Sequence, residues 1–253
     1  MSRIAVAGAT GRVGRHVVDV LEEGGHDVVP MSRATGVDLV TGEGLAERLA
    51  GVTAIVDAST GPSPEYGPAA EFFTAASRNL QEAGSRAGAE LIVVVSIIGI
   101  DRFAGGYQAA KVDHERAMRA GPLPVRILRA AQFHEFVEEL MAWGRRGDVI
   151  QVPRMRTQLV AARAVAEALA DLATGAANAP LSEIAGPRPE ELVEAAHLLA
   201  KRRGDPAQVL EADVDPSDPD NELLASGALL PGPDAVLAGP TFEQWLEAGV
   251  VSR

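Results

Sequence analysis

Apolar runs alternate with helical patterns along the first 150 or so residues. Strands are predicted at Arg3–Ala7, Asp27–Met31, Thr53–Ala58, Glu90–Ile97, Val125–Leu128 and Asp148–Val152. Helices are predicted between them at Arg12–Glu23, Leu45–Leu49, Ala69–Ala87, Tyr107–Ala120 and Phe133–Trp143. Leu91-Ile92-Val93-Val94-Val95 is continuously apolar, which suits a central strand covered on both faces. Its length and β-branched content favour strand over buried helix. Strands that alternate with helices predict an α/β fold with a doubly wound parallel sheet.

After about Pro153 the pattern loosens. Ala161–Ala173 and Pro189–Lys201 read as helices, and Ser182–Ala185 as a short strand before Gly186-Pro187. Asp213–Asp220 is acidic and proline-rich, so it reads as an exposed loop. Thr241–Leu246 reads as a helix capped by Thr241, with Gln244 three residues on. No linker or internal repeat stands out. The chain is therefore expected to form one domain, 1–253, with a core over 1–153 and a small C-terminal substrate lobe over 154–253.

The 253 residues are 47% hydrophobic but only 4% aromatic, so the core must be built from Ala, Val, Leu and Ile. A formal charge of −12 argues against a nucleic-acid partner. Without cysteine there is no disulfide, thiolate nucleophile or Cys-ligated metal. The five histidines lack metal-ligand spacing, so no metal site is expected. The longest apolar stretch, Leu91–Ile100, is too short to span a membrane, which takes roughly 20 residues. A strand and a Gly-rich turn fall within the first residues, where a signal peptide is not expected, so a cytoplasmic location is the expectation.

Chemistry enters at Gly8-Ala9-Thr10-Gly11-Arg12-Val13-Gly14. The three glycines have G-x-x-G-x-x-G spacing between a predicted strand and a predicted helix. That is the context in which backbone approaches a pyrophosphate at a helix N-terminus, in a Rossmann-type fold. Thr10, Arg12 and Val13 would offer backbone N–H groups to the phosphates. At the end of the second strand, where NAD sites place an acid, the chain has Ser32-Arg33. A guanidinium there suits a 2′-phosphate, so NADP(H) is the expected cofactor.

Tyr107 precedes Lys111 by four residues, which puts both on one helix face. A phenol beside an ammonium is expected to have a lowered pKa and to serve in proton transfer. His134, near the expected substrate crevice, is a candidate substrate contact or proton donor.

These residues resemble the short-chain dehydrogenase/reductase superfamily, in its atypical NmrA-like, NAD(P)H-binding branch. The likeness is carried by the glycine turn, Ser32-Arg33, Val56-Asp57-Ala58-Ser59, Val95–Asp101, Tyr107…Lys111…Glu115 and Ile127–Phe133. The resemblance implies that Ala58, Ser59 and Thr60 pass the adenosine side of the cofactor. It implies that Ser96 lies near the nicotinamide, with Tyr107 as acid and Lys111 as the ribose-binding lysine. Ala130, Ala131, Gln132 and Phe133 would contact the nicotinamide from the following strand end. The expected function is NADPH-dependent reduction of a small carbonyl, quinone or activated double bond. The alternatives are a non-catalytic NADP(H)-sensing regulator and a non-redox isomerase or cyclase. A homodimer is one option for the assembly.

Overall fold

The apolar runs fold as strands and the amphipathic stretches between them as helices. The computed structural model describes residues 1–176, 181–212 and 219–249. In chain order the elements are β1 (Arg3–Ala7), α1 (Gly14–Glu23), β2 (Asp27–Met31), α2 (Leu45–Arg48), β3 (Ala54–Asp57), α3 (Tyr66–Ala87), β4 (Leu91–Ile97), α4 (Gly106–Arg119) and β5 (Val125–Ala130). They continue as α5 (Phe136–Gly144), β6 (Arg145–Arg146), β7 (Val149–Val152), β8 (Arg156–Thr157), α6 (Ala162–Thr174), β9 (Glu183–Ala185) and β10 (Glu190–Glu191). The last are α7 (Leu192–Arg203), β11 (Gln208–Glu211), α8 (Pro219–Ala225), β12 (Val236–Leu237) and α9 (Phe242–Glu247).

The chain divides into two units, the first formed by Met1–Ser96, Ala104–Arg129 and Val165–Ser182. Its sheet runs in the order β5-β4-β3-β1-β2. β1 pairs in parallel with β2 on one side and β3 on the other, with Ala5 level with Val29 and Ile55. The order reverses at β1, and ligands of open α/β sheets bind beyond the C-terminal strand ends at such a point. Ile4, Ala5, Val6 and Ala7 are fully buried, as are Ile92, Val93 and Val94 of β4. This is a Rossmann-type parallel sheet, and its core is aliphatic, with Met31, Leu45, Leu49, Ile55, Leu80 and Met118 in one cluster.

Gln81 is a buried polar exception in α3. Its amide nitrogen donates to the Met118 carbonyl at 2.7 Å, and its carbonyl accepts from Leu123 N–H at 2.8 Å. It thereby closes the end of α4 and the turn into β5, where ordinary helix hydrogen bonds run out. Helix α3 starts at Tyr66, earlier than the predicted Ala69. Pro68 sits in the first turn, where its missing N–H costs nothing.

The second unit comprises Ile97–Phe103, Ala130–Ala164 and Glu183–Arg253. Here the predicted strand Asp148–Val152 does not join the doubly wound sheet. It becomes β7, the centre of a separate sheet ordered β11-β7-β6. The two-residue connection Gly147-Asp148, with Gly147 at φ 61°, folds β7 back on β6 as a hairpin. Helix α5 begins at Phe136 rather than Phe133, because Val160 N–H donates to the Gln132 carbonyl and His134 N–H to the Val160 carbonyl. Helix α7 begins at Leu192 rather than Pro189, because Glu190-Glu191 pair with Arg156-Thr157. The predicted cap of α9 forms: Gln244 N–H donates to Thr241 Oγ1 and Thr241 N–H to Gln244 Oε1. Most of the predicted acidic loop, 213–218, lies outside the described residues, and Pro219 and Asp220 open α8. Among the described residues no helix is long and apolar enough to cross a membrane.

Replacing Gln81 by the nearly isosteric leucine strands the buried Leu123 N–H, while the Met118 carbonyl keeps Gly121 N–H. Gln81→Leu is expected to destabilise the fold by about 1–3 kcal/mol, read as a lowered urea midpoint at unchanged m-value.

Candidate cofactor and proton-transfer site

The glycine turn is set by backbone crowding. Gly8 has φ 76°, and a Cβ there would sit 2.6 Å from the Ala58 carbonyl oxygen. A Cβ on Gly14 would sit 2.1 Å from the Gly8 carbonyl oxygen. The first contact brings the end of β1 against the end of β3, and the second seats α1 on the turn. Gly8 and Ala9 N–H both donate to the Met31 carbonyl, so the turn is also tied to β2. Helix α1 has no side-chain cap and no acid in its first turn. Its N-terminal N–H groups and positive dipole end suit an anion.

At the end of β2, Arg33 is exposed and, among the described residues, its guanidinium meets no partner. Ser32 N–H donates to Thr35 Oγ1 at 2.8 Å, while the buried Ser32 hydroxyl has no partner. Ser59, just past β3, likewise has a buried hydroxyl without a partner, and its N–H donates to Asp57 at 2.9 Å. An unpaired guanidinium, two unpaired hydroxyls and an uncapped helix suit a phosphorylated, sugar-bearing ligand.

Tyr107 lies in the first turn of α4 and packs edge-on against Phe73 of α3, with ring centroids 5.7 Å apart. Burial pushes its pKa up to about 12, and the Asp57 charge adds to the rise. Thr60 and the Gly61 backbone, which face the phenol, oppose it. The expectation of a lowered pKa is therefore reversed, because Lys111 points elsewhere. The Lys111 ammonium donates to the Val95 carbonyl at 2.9 Å and to His114 Nδ1 at 2.8 Å. It also lies 4.6 Å over the Phe73 ring. Burial lowers the Lys111 pKa to about 8, against the pull of Asp57 and Glu115.

His114 is the residue that the sequence reading passed over. It is fully buried, stacks on Phe73 at 4.4 Å, and places Nε2 3.0 Å from Asp57 Oδ2. Burial and the neighbouring ammonium hold its pKa below the usual value. A neutral ring satisfies every partner at once: Nε2–H donates to Asp57, and Nδ1 accepts from Lys111. Burial alone would raise the pKa of Asp57, but the His114 hydrogen bond and the nearby positive charge bring it below the usual range. The clue in the sequence was Lys111-x-x-His114, a spacing that shares a helix face, with Asp57 ending an apolar strand.

Ser96 is 2% exposed, and its hydroxyl meets no partner at hydrogen-bond geometry. Its dipole nonetheless favours the charged form of Glu115. Glu115 takes a two-pronged grip from Arg129, with both contacts at 2.9 Å, and a further contact from Arg119 at 3.2 Å. The structure thus sets Ser96 beside a buried ion pair.

In the second unit Ala130 and Ala131 are buried, and Thr157 donates to Gln132 Oε1. Phe133 bridges to Val160. His134 is fully buried and shares a cluster with Phe242 and Trp245, and its Nε2 donates to the Pro240 carbonyl at 3.0 Å. Burial lowers its pKa to about 4, so it is neutral at physiological pH and acts as an anchor for the start of α9. No cluster of metal-binding groups occurs among the described residues.

No family model and no curated protein matches the sequence. Solved structures do match the fold. An NADP complex of dTDP-4-dehydrorhamnose reductase from Bacillus anthracis aligns over 100% of this chain and 99% of its own, at TM-score 0.72 and 14% identity. An NADPH complex of the NADPH-dependent quinone oxidoreductase from Escherichia coli aligns over 97% and 99%, at TM-score 0.69 and 18% identity. UDP-N-acetylglucosamine 4-epimerase from Bacillus cereus aligns over 98% and 95%, at TM-score 0.68 and 17% identity. The chain therefore shares the Rossmann-type fold of these solved structures.

The buried lysine gives a pH-dependent stability. Between about pH 8 and pH 10 the unfolded chain keeps the Lys111 proton and the native protein sheds it. Native stability should therefore gain from this group as pH rises through that window. Urea melts at pH 8 and pH 10 should show a smaller gain in Lys111→Met.

Proposed function

We propose that the chain is an NADPH-dependent oxidoreductase that reduces a carbonyl, quinone or activated double bond of a small organic molecule. The observation that carries this reading is the Tyr107 phenol. It faces Thr60 and Gly61, in the loop that leaves the strand packed against the glycine turn, and its pKa of about 12 keeps it protonated. The phenol is therefore in the protonated form that a proton donor in a reduction must have, though burial makes it a weaker acid than free tyrosine.

The backbone of Thr10, Arg12 and Val13, at the head of α1, would hold the pyrophosphate behind Gly8, Gly11 and Gly14. Ser32 and Arg33 would take the 2′-phosphate, and Ala58, Ser59 and Thr60 the adenosine side. The cofactor when bound supplies the hydride. Tyr107 gives its proton to the substrate atom that becomes negative, and Lys111 holds a ribose hydroxyl. In this proposal Ser96 and His134 have supporting roles, since both side chains are buried.

The Lys111 contacts favour a second reading, a protein that binds NADP(H) without turning it over. Its ammonium is engaged by Val95 and His114 and not by the phenol. NADPH oxidation against quinones, ketones, aldehydes and enones separates the two. Tight NADPH binding with no oxidation by any of them would leave the binding reading.

Tyr107→Phe should cut ketone or aldehyde reduction by roughly 100- to 10,000-fold while sparing the NADPH Kd. A quinone, which can take its proton from water, should lose much less. Arg33→Ala should weaken NADPH about 10- to 100-fold and leave NADH nearly unchanged, as loss of charge-assisted contacts to one phosphate requires. Equal weakening of both cofactors would remove the 2′-phosphate assignment.

A further inference from the structure

Four elements meet at a buried polar chain. Asp57 ends β3, His114 and Lys111 lie one turn apart on α4, Val95 belongs to β4, and Phe73 of α3 lies beneath. The Asp57 and His114 side chains are both 0% exposed, and Lys111 is 4% exposed. Asp57 is also fixed from behind by Ser59 N–H. Such a chain orders the protons in one way. The carboxylate can only accept, so Nε2 carries the imidazole hydrogen, which leaves Nδ1 as an acceptor for Lys111.

We propose that His114, backed by Asp57, is the positioning residue that fixes the Lys111 ammonium and keeps it charged. Two ammonium hydrogens are committed, to His114 Nδ1 and to the Val95 carbonyl. The third remains for a ligand hydroxyl. The imidazole relays the Asp57 charge to the ammonium without a direct ion pair, so the carboxylate supports the charge and does not draw the lysine down to itself. The other charged groups acting here are Glu115 on α4, which supports the ammonium, and Arg129 on β5, which holds Glu115. Tyr107 feels the same Asp57 charge. The inference rests on the proposed reading only in taking Lys111 as the residue that meets the cofactor's ribose.

Nitrogen-15 and carbon-13 NMR of the ligand-free full chain tests it. At pH 7 the His114 ring should be neutral with its hydrogen on Nε2, and one buried lysine should titrate near pH 8. An imidazolium, or a hydrogen on Nδ1, overturns the proposal in the native protein alone, with no variant needed. In His114→Leu the Lys111 midpoint should fall by about one to two units, because the charged form loses an acceptor. His114→Gln, with an acceptor and a donor of its own, should restore most of that shift. An unmoved midpoint in His114→Leu overturns the proposal. The NADPH Kd measured against pH separates this from the functional reading. A shifted midpoint with an unshifted Kd profile supports the positioning role and removes only the assignment of Lys111 to the ribose.

Discussion

A carboxylate and an ammonium buried in the same apolar unit must answer to each other, and here an imidazole stands between them. Asp57, His114 and Lys111 are nearly or wholly withdrawn from water, where an unpaired charge would cost several kcal/mol. The arrangement needs the end of β3, one face of α4 and a carbonyl of β4 at fixed distances. It therefore ties together the elements that carry every proposed proton-handling group in the first unit. Phe73 makes the geometry affordable in space as well as charge: its ring stacks on His114, lies under Lys111 and meets the edge of Tyr107. One aromatic side chain from α3 thus sets the positions of three residues on α4.

Backbone crowding supplies the second constraint. Gly8 against Ala58, and Gly14 against Gly8, leave no room for a side chain. The consequence is that the turn after β1, the start of α1 and the end of β3 form one rigid edge. Ser59 hangs from that edge through its N–H to Asp57, so the backbone constraint and the buried charge chain share a residue. A shift in either would displace Thr60 and Gly61, which face the phenol.

The sheet of the first unit was legible because its strands are short, β-branched and punctuated by glycine, and because each is followed by an amphipathic stretch. What misled was locally competitive pairing. Val149–Val152 has the composition of a core strand, yet a two-residue glycine turn hands it to Arg145-Arg146. The helix starts at Phe136 and Leu192 moved because backbone groups of Gln132, His134, Glu190 and Glu191 found strand-like partners far away in sequence. At the candidate site the residue types were legible and their company was not. Tyr107 and Lys111 share a helix face, but spacing does not say which way an ammonium turns. A histidine three residues on and an aspartate at a strand end are each commonplace, and only their meeting makes a chain. His134 shows the converse, since a histidine near an expected crevice proves to be packed against the stacked rings of Phe242 and Trp245.

The opposed directions of the two central pKa values bear on the proposed chemistry. Burial acts on a neutral acid and on a cationic acid in opposite senses: it holds the proton on the Tyr107 phenol and loosens the one on Lys111. In water the two groups would be nearly matched. Here they are separated by about four units, with the phenol the weaker acid. A proton lost from Tyr107 to a substrate would leave a phenolate in a site that resists negative charge, close to the Asp57 carboxylate. A group on the same helix able to return a proton is Lys111, whose pKa of about 8 lies below that of the phenol. On the proposed reading, the same burial that makes the Tyr107 phenol a reluctant acid and its phenolate a strong base makes Lys111 a ready source for reprotonating it. The Asp57–His114 pair then sets how readily that proton leaves.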